Sequence, residues 1–236
     1  MTELLYQRDS YLKEFGATVV KVLSDGVILD RTAFMPRSGG LEGDTGVLIA
    51  GEREYRVIGA RFVEDGVLHI LETTEGIKHG MRVHGVIDWE RRYRQMRLHT
   101  AAHILSALFY KKAGALITGG HITPEKAYDD YSLESIDRAL IDDVFREANE
   151  IVRRGIEVRV YWLPREEALK IPEIVKLASK MPPDIEEWRI VEIPGVDIQA
   201  DGGVHVKNTR EVGKIVFLEA KNKGKGRKRI YFTVQP

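Results

Sequence analysis

His99 and His103 stand four residues apart in "RLHTAAHIL" (97–105), and far downstream "QADGGVHV" (199–206) places Asp201 four residues before His205. On a helix that separation puts both side chains on one face. Two imidazoles so placed can ligate a single cation, as in the HExxH pattern of metalloproteases. Thr100 occupies the position of that pattern's glutamate, so the metalloprotease chemistry itself is not carried over. Spacing of this kind is unspecific, because an amphipathic helix also presents histidine pairs without a metal. In "DGGVH" two glycines lie between the acid and the histidine, which predicts a tight loop in which both side chains converge. His99, His103, Asp201 and His205 together form a three-nitrogen, one-oxygen set. Such a set suits zinc, with iron, cobalt and nickel also open.

Two kinds of element must hold these pieces. Up to residue 88 the pattern is strand-like. "ATVVKVLSDGVILD" (17–30) predicts a hairpin about Ser24-Asp25-Gly26, and residues 46–72 predict further strands with turns at Ala50-Gly51 and Asp65-Gly66. Short strands at close spacing predict a small barrel. "FMPRSGGLEGDTG" (34–46) is too rich in Gly and Pro for a regular element, and Gly39-Gly40 permit positive φ and close approach to a ligand.

After Asp88 the period becomes helical, with Met96, Leu98, Ala102, Leu105, Leu108 and Phe109 along one helix from Trp89 to about Lys112. A second helix is expected from Ser135, its cap, to Arg154, with Ile136, Leu140, Val144 and Ile151 as its apolar stripe and Gly155 as its stop. Strands are expected at 156–163, 187–193, 213–220 and 229–234, with short helical pieces through Ala178. The last two strands flank "KNKGKG", so a hairpin tip holds most of a basic cluster. The fold class expected is α+β: a small N-terminal β-barrel (1–88), then an α+β domain (89–236) with an antiparallel sheet packed on helices.

The 236 residues contain no cysteine, which excludes a disulfide framework and any thiolate metal ligand. No apolar run approaches the length needed to cross a bilayer, and "MTELLYQRDS" lacks a secretory pattern. Cytoplasmic placement is therefore expected, and abundant Glu, Lys and Arg also suit a thermophile. Formal net charge is zero, so the chain as a whole lacks the basic signature of a nucleic-acid binder. The cations are nonetheless clustered. "KNKGKGRKR" (221–229) holds six with no acid, and "ERRYRQMR" (90–97) holds four arginines against one glutamate. Such patches meet phosphates, or merely confer solubility. His69, His79 and His84 have no motif context and read as structural.

"MRLHTAAHIL" and "DIQADGGVHVKNTREVGKI" resemble the paired metal motifs of the alanyl-tRNA synthetase editing domain and its free-standing relatives, the AlaX proteins. The family pattern is HxxxH, then CGGTH, then N-T-x-E-(I/V)-G, matched here by Asn208, Thr209, Glu211, Val212 and Gly213. "FMPRSGGLEGDTG" resembles the family's glycine-rich motif at Gly39, Gly40, Asp44 and Gly46. "VIDWERRYRQMRLH", "GGHITPEKAYDDY" and "NKGKGRKRIYF" extend the likeness over essentially the whole chain, in the manner of the medium-length class. Two departures are visible: Asp201 replaces the family cysteine, and Val204 the usual threonine. Aspartate offers zinc an oxygen in place of a thiolate, a harder donor.

The resemblance implies an ATP-independent aminoacyl-tRNA deacylase acting in trans, a hydrolase of the ester of tRNA(Ala) mischarged with serine, and in some cases glycine. It implies one zinc ion held by His99, His103, Asp201 and His205. Thr118 lies near the family position that contacts serine, and His121, in "TGGHI", is the histidine left over for a general base. Substrate binding is expected from Gly39, Gly40 and Asp44 in the glycine-rich loop, packed against the metal domain. The hairpin cations Lys223, Lys225 and Lys228 are expected to meet the acceptor end of tRNA(Ala). Two readings from other classes stand beside this one: a non-catalytic tRNA-binding module with a structural metal, and an unrelated metal-dependent hydrolase of small esters or amides. Oligomeric state has no signal in the sequence.

Overall fold

The computed structural model describes residues 1–171, 174 and 186–236. The chain forms two compact units, Met1–Gln95 and Met96–Pro236.

The first unit is a closed barrel. A short β1 (Glu3–Leu4) leads into α1 (Leu5–Arg8), and β1 pairs in parallel with β4 (Arg31–Thr32). The barrel strands are β2 (Glu14–Leu23), β3 (Gly26–Leu29), β5 (Gly46–Ala50), β6 (Arg53–Val63), β7 (Gly66–Leu71) and β8 (Arg82–Ile87), closed in the order β2-β3-β7-β6-β5-β8. Alternation along β2 sends Phe15, Ala17 and Val19 inward, where they pack with Val27, Leu29, Leu48, Val57 and Val83. The hairpin turns fall where expected, and β8, in a stretch assigned no strand from the sequence, closes the ring between β2 and β5. His69 is buried inside, between Thr32 Oγ1 (2.7 Å) and the Val27 carbonyl (3.2 Å). Burial lowers its pKa to about 4, so it is a neutral packing group.

The glycine-rich segment departs from expectation at Asp44. Its side chain is fully buried, accepting from the Met35 amide (2.6 Å) and from the Arg92 guanidinium, which itself is fully buried. Arg92 also donates to the carbonyls of Ser10 (3.0 Å) and Ala33 (2.5 Å). The structure therefore gives Asp44 an internal anchoring role, with both carboxylate oxygens hydrogen-bonded inside the unit. Gly39 and Gly40 do adopt positive φ (58° and 89°), turning the chain between Ser38 and Leu41, which exchange two backbone hydrogen bonds (3.2 and 2.8 Å). A Cβ on Gly39 would meet only Leu41 Cδ1, at 3.9 Å, so the requirement there is backbone conformation.

The second unit is built around α2 (Trp89–Ala113), which begins in the first unit, where Asp88 Oδ1 accepts the Arg91 amide as a cap. Every residue from 98 to 109 is buried, so this middle stretch of α2 is enclosed on all sides rather than amphipathic. Next come β9 (Ile117–Ile122), β10 (Ala127–Tyr131), α3 (Arg138–Arg154), β11 (Arg159–Pro164) and α4 (Arg165–Ala168). The chain finishes with β12 (Glu187–Ile193), β13 (Asp197–Ala200), β14 (Lys214–Asn222) and β15 (Lys228–Gln235). Two antiparallel sheets result, β14-β15-β10-β9 and β11-β12-β13. Phe109 of α2 lies against Tyr131 of β10 (4.4 Å between ring centroids), and Phe145 of α3 against Phe217 of β14 (5.5 Å).

The cap of α3 is Asp137, two residues past Ser135, because its carboxylate accepts from both Ala139 and Leu140 amides. The buried face is Ile141, Val144, Phe145, Ala148, Ile151 and Val152, which keeps Val144 and Ile151 of the expected stripe, while Ile136 precedes the helix and is exposed. Gly155 ends the helix at φ 65°. Of the helical pieces expected through Ala178, α4 is present, and residues 172–173 and 175–178 lie outside the described residues. No helix among the described residues is long and apolar enough to cross a membrane.

Candidate metal centre

Helix α2 supplies His99 and His103, and the loop after β13 supplies Asp201 and His205. One ligand atom from each of the four lies within 4.8 Å of every other. Asp201 Oδ2 sits 3.2 Å from His99 Nε2, 3.1 Å from His103 Nε2 and 3.4 Å from His205 Nε2. His99, His103 and His205 are all buried.

The far side of each ring is tied to an acceptor. His99 Nδ1 donates to the Val204 carbonyl (3.2 Å), and His103 Nδ1 to Asp197 Oδ2 (3.0 Å). His205 Nδ1 lies 3.1 Å from Thr100 Oγ1, whose own hydrogen goes to the Met96 carbonyl (3.0 Å), so the hydroxyl accepts from the ring. With the Nδ1 hydrogens committed outward, the three Nε2 atoms point inward, with a carboxylate oxygen beside them. This is the ring orientation that outer partners impose on metal-bound histidines. The donor set therefore fits a divalent cation, and three nitrogens with one oxygen fit zinc.

Electrostatics agree with that use. Burial lowers the His99 pKa to about 4, against the pull of Asp201, and holds His205 well below the ordinary histidine value. Burial also opposes a charge on His103, but its hydrogen bonds to Asp197 and Asp201 outweigh it and raise the pKa to about 10. For Asp201 the burial penalty is likewise overcome by the surrounding imidazoles, which hold its carboxyl well below the usual range. Two carboxylates thus face one imidazolium, an arrangement that favours exchange of that proton for a cation.

The loop's return path explains the downstream motif. Asn208 caps the 3-10 turn Thr209–Val212: its side chain accepts from the Arg210 amide (2.9 Å) while Glu211 accepts from the Asn208 amide (3.1 Å). Asn208 Nδ2 and Thr209 Oγ1 also bond the Gly155 and Ile151 carbonyls at the end of α3 (2.9 and 3.2 Å). These hydrogen bonds anchor the segment that carries His205. Arg189 holds the other end through hydrogen bonds in both directions with the Asp201 backbone (2.7 and 3.0 Å).

Gly203 is required by space rather than by φ. A Cβ there would lie 2.6 Å from His99 Cε1 and 2.9 Å from Nδ1. Gly203→Ala is expected to push His99 off its position and weaken metal affinity at least about tenfold, as misplacing a ligand does. Circular dichroism should stay unchanged. Chelator competition measures the effect, and wild-type affinity in the variant would refute the steric account.

The remaining sequence candidates are not among these four converging side chains. His121 is paired across β9 and β10 with Tyr128, on the face opposite buried Ala127 and Asp129, and is not part of the converging group. The Thr118 hydroxyl donates to the Asp130 carbonyl (3.2 Å). Lys223 and Lys225 are exposed at the hairpin tip, but Lys228 is buried, its ammonium donating to the Gly224 carbonyl (3.0 Å). Lys228 therefore staples the hairpin and does not reach outward. The arginines of 90–97 are engaged as well: Arg91 pairs with Glu42 (2.8 Å) and Arg97 donates to the Val212 and Gln235 carbonyls. Sequence reading missed Thr100 and Asp197, the partners of His205 and His103. It also missed Asp129, a buried carboxyl that burial raises to about 7. An acid four residues before Asp201 was the available signal for Asp197.

Residues 188–231 match the family model "Threonyl and Alanyl tRNA synthetase second additional domain", and residues 8–91 match "tRNA synthetases class II (A)". The chain is 56% identical over 239 residues to the "Alanyl-tRNA editing protein AlaX-M" of Saccharolobus solfataricus, covering 100% of both. It is 42% identical to the protein of that name from Methanosarcina barkeri, covering 99% of each. The "Alanine--tRNA ligase" of Pyrococcus furiosus is 37% identical across 98% of this chain, which spans 26% of that ligase.

Proposed function

The chain belongs to the AlaX-M family of alanyl-tRNA editing proteins, and on that premise we propose that it hydrolyses in trans the ester of tRNA(Ala) mischarged with serine or glycine. The observation that carries the chemistry is the set of three Nε2 atoms converging on Asp201 Oδ2, each ring held from behind by an acceptor. A zinc ion there would supply Lewis acidity toward the ester carbonyl. Asp197, Thr100 and the Val204 carbonyl hold the imidazoles in the one tautomer that ligates. Thr118 is the residue assigned to the serine side chain: its hydrogen is donated to the Asp130 carbonyl, which leaves its oxygen free to accept. The exposed glycine turn at Gly39-Gly40 is assigned to substrate binding. A separate hydrolase has a clear physical purpose, since an alanine pocket discriminates poorly against glycine and against one added hydroxyl.

Purified protein incubated with seryl-, glycyl- and alanyl-tRNA(Ala) should release serine or glycine and spare alanine. Tight binding of all three without ester loss would replace this reading with a non-catalytic tRNA-binding module. The exposed tip cations Lys223, Lys225 and Arg227 are assigned to acceptor-stem phosphates. Their joint replacement by alanine should weaken tRNA binding and reduce the slope of log K against log salt by about 0.7–0.9 for each phosphate no longer neutralised. An unchanged slope would place the phosphate surface elsewhere.

A further inference from the structure

We propose that the outer face of the sheet β14-β15-β10-β9, centred on Tyr231, is a docking surface for unpaired nucleotides of an RNA strand. The inference rests on the reading that the chain acts on tRNA, and it names a surface remote in character from the buried ligand cluster.

Strand register assembles this face. Directly opposed residues share a face of a sheet. One row therefore runs Glu219, Tyr231, Tyr128, His121, and the next runs Lys221, Arg229, Asp130, Gly119. The alternate residues Ala127, Asp129, Ile230, Phe232 and Val234 are buried on the inner face. Tyr128 and Tyr231 are only partly buried, their rings 5.3 Å apart, and His121 lies 6.1 Å beyond Tyr128.

Cations frame the row. The Arg229 guanidinium lies 3.6 Å from the Tyr128 centroid, held flat by a two-point contact with Asp130 (2.7 and 3.0 Å). Lys126 and Lys221 stand 5.4 and 5.1 Å from the Tyr231 centroid. Asp130 and Glu219 answer Arg229 and Lys221, while Lys126 has no carboxylate partner among the described residues. The exposed tip with Lys223, Lys225 and Arg227 continues the positive charge along the same hairpin. A row of half-exposed rings inside a cationic frame matches the demands of a single strand: bases stack on any aromatic face, and phosphates take the cations. Tyrosine rings ringed by ammonium groups offer little to a lipid surface, which needs exposed aliphatic area.

The test is fluorescence anisotropy of the full chain with a labelled, deacylated tRNA(Ala) transcript, beside the same transcript trimmed to a blunt acceptor stem. Tyr231→Leu keeps apolar volume and loses the π face. It should cost about tenfold in affinity for the full transcript and less than about twofold for the blunt one. Tyr231→Phe should bind as wild type, and Lys126→Ala should weaken binding and flatten its salt dependence. Unchanged binding by Tyr231→Leu, or equal losses on both transcripts, would overturn the proposal. Should Tyr231→Leu fail to fold, Tyr128→Leu and Lys126→Ala carry the same test, and wild-type binding by both overturns it. Because the transcripts are deacylated, the outcome is separate from catalysis. Stacking without ester hydrolysis would sink the deacylase reading alone, and hydrolysis with indifferent tyrosines would sink only the docking surface.

Discussion

His99→Ala and His103→Ala are each expected to abolish metal retention through purification. Loss of a hydrogen-bonding partner behind a ligand costs roughly 10–100-fold in metal affinity, and loss of the nitrogen itself costs more. The chain has no cysteine to substitute. Thr100→Val and Asp197→Ala fall in that smaller range, since they free the rings of His205 and His103 without removing a donor. Asp201→Ala should loosen the ion, and Asp201→Cys should tighten zinc, which favours thiolate with imidazole. Elemental analysis and chelator competition on these variants decide the matter. Wild-type protein, purified without chelator and free of stoichiometric metal, would count against the whole site. Equal affinities for wild type, Asp201→Ala and Asp201→Cys would strike Asp201 alone from the ligands.

The second large effect lies in the barrel unit. Arg92→Ala strands the Asp44 carboxylate in the interior with one remaining donor, the Met35 amide, and removes the donors to the Ser10 and Ala33 carbonyls. Breaking a buried pair from one side costs about 3–5 kcal/mol, a large part of the stability of a small domain. The denaturation midpoint, followed by Trp89 fluorescence or circular dichroism, should drop accordingly. Replacing both partners with apolar residues, Asp44→Leu with Arg92→Met, should recover much of the loss, because no unpaired charge then remains. A single Arg92→Ala change costing under about 1 kcal/mol would show that water reaches Asp44, contrary to its complete burial.

Much of this molecule is written locally. Helical period places His99 and His103 on one face, alternation marks the barrel strands, and Gly155 stops α3, each through interactions within a few residues. The convergence of His99, His103, Asp201 and His205 was also readable, because its two halves are short motifs whose internal spacing already sets side-chain direction. Tertiary structure decided what each charge and each strand face is for. Asp44 reads as a loop acid available to a ligand until Arg92, distant in sequence, closes on it. Lys228 reads as one of six clustered cations until the hairpin folds its ammonium onto Gly224. His121 belongs to the outer face because its partner across the sheet is Tyr128, a pairing no local rule supplies. Thr100 turns from a missing glutamate into the acceptor behind His205 only once the loop returns against α2. Local propensity acts over one or two turns of chain, whereas burial and ion pairing depend on which distant segment arrives. The sequence therefore determined the donor atoms, and the packed fold determined their tautomers, their partners and the face on which every other candidate lies.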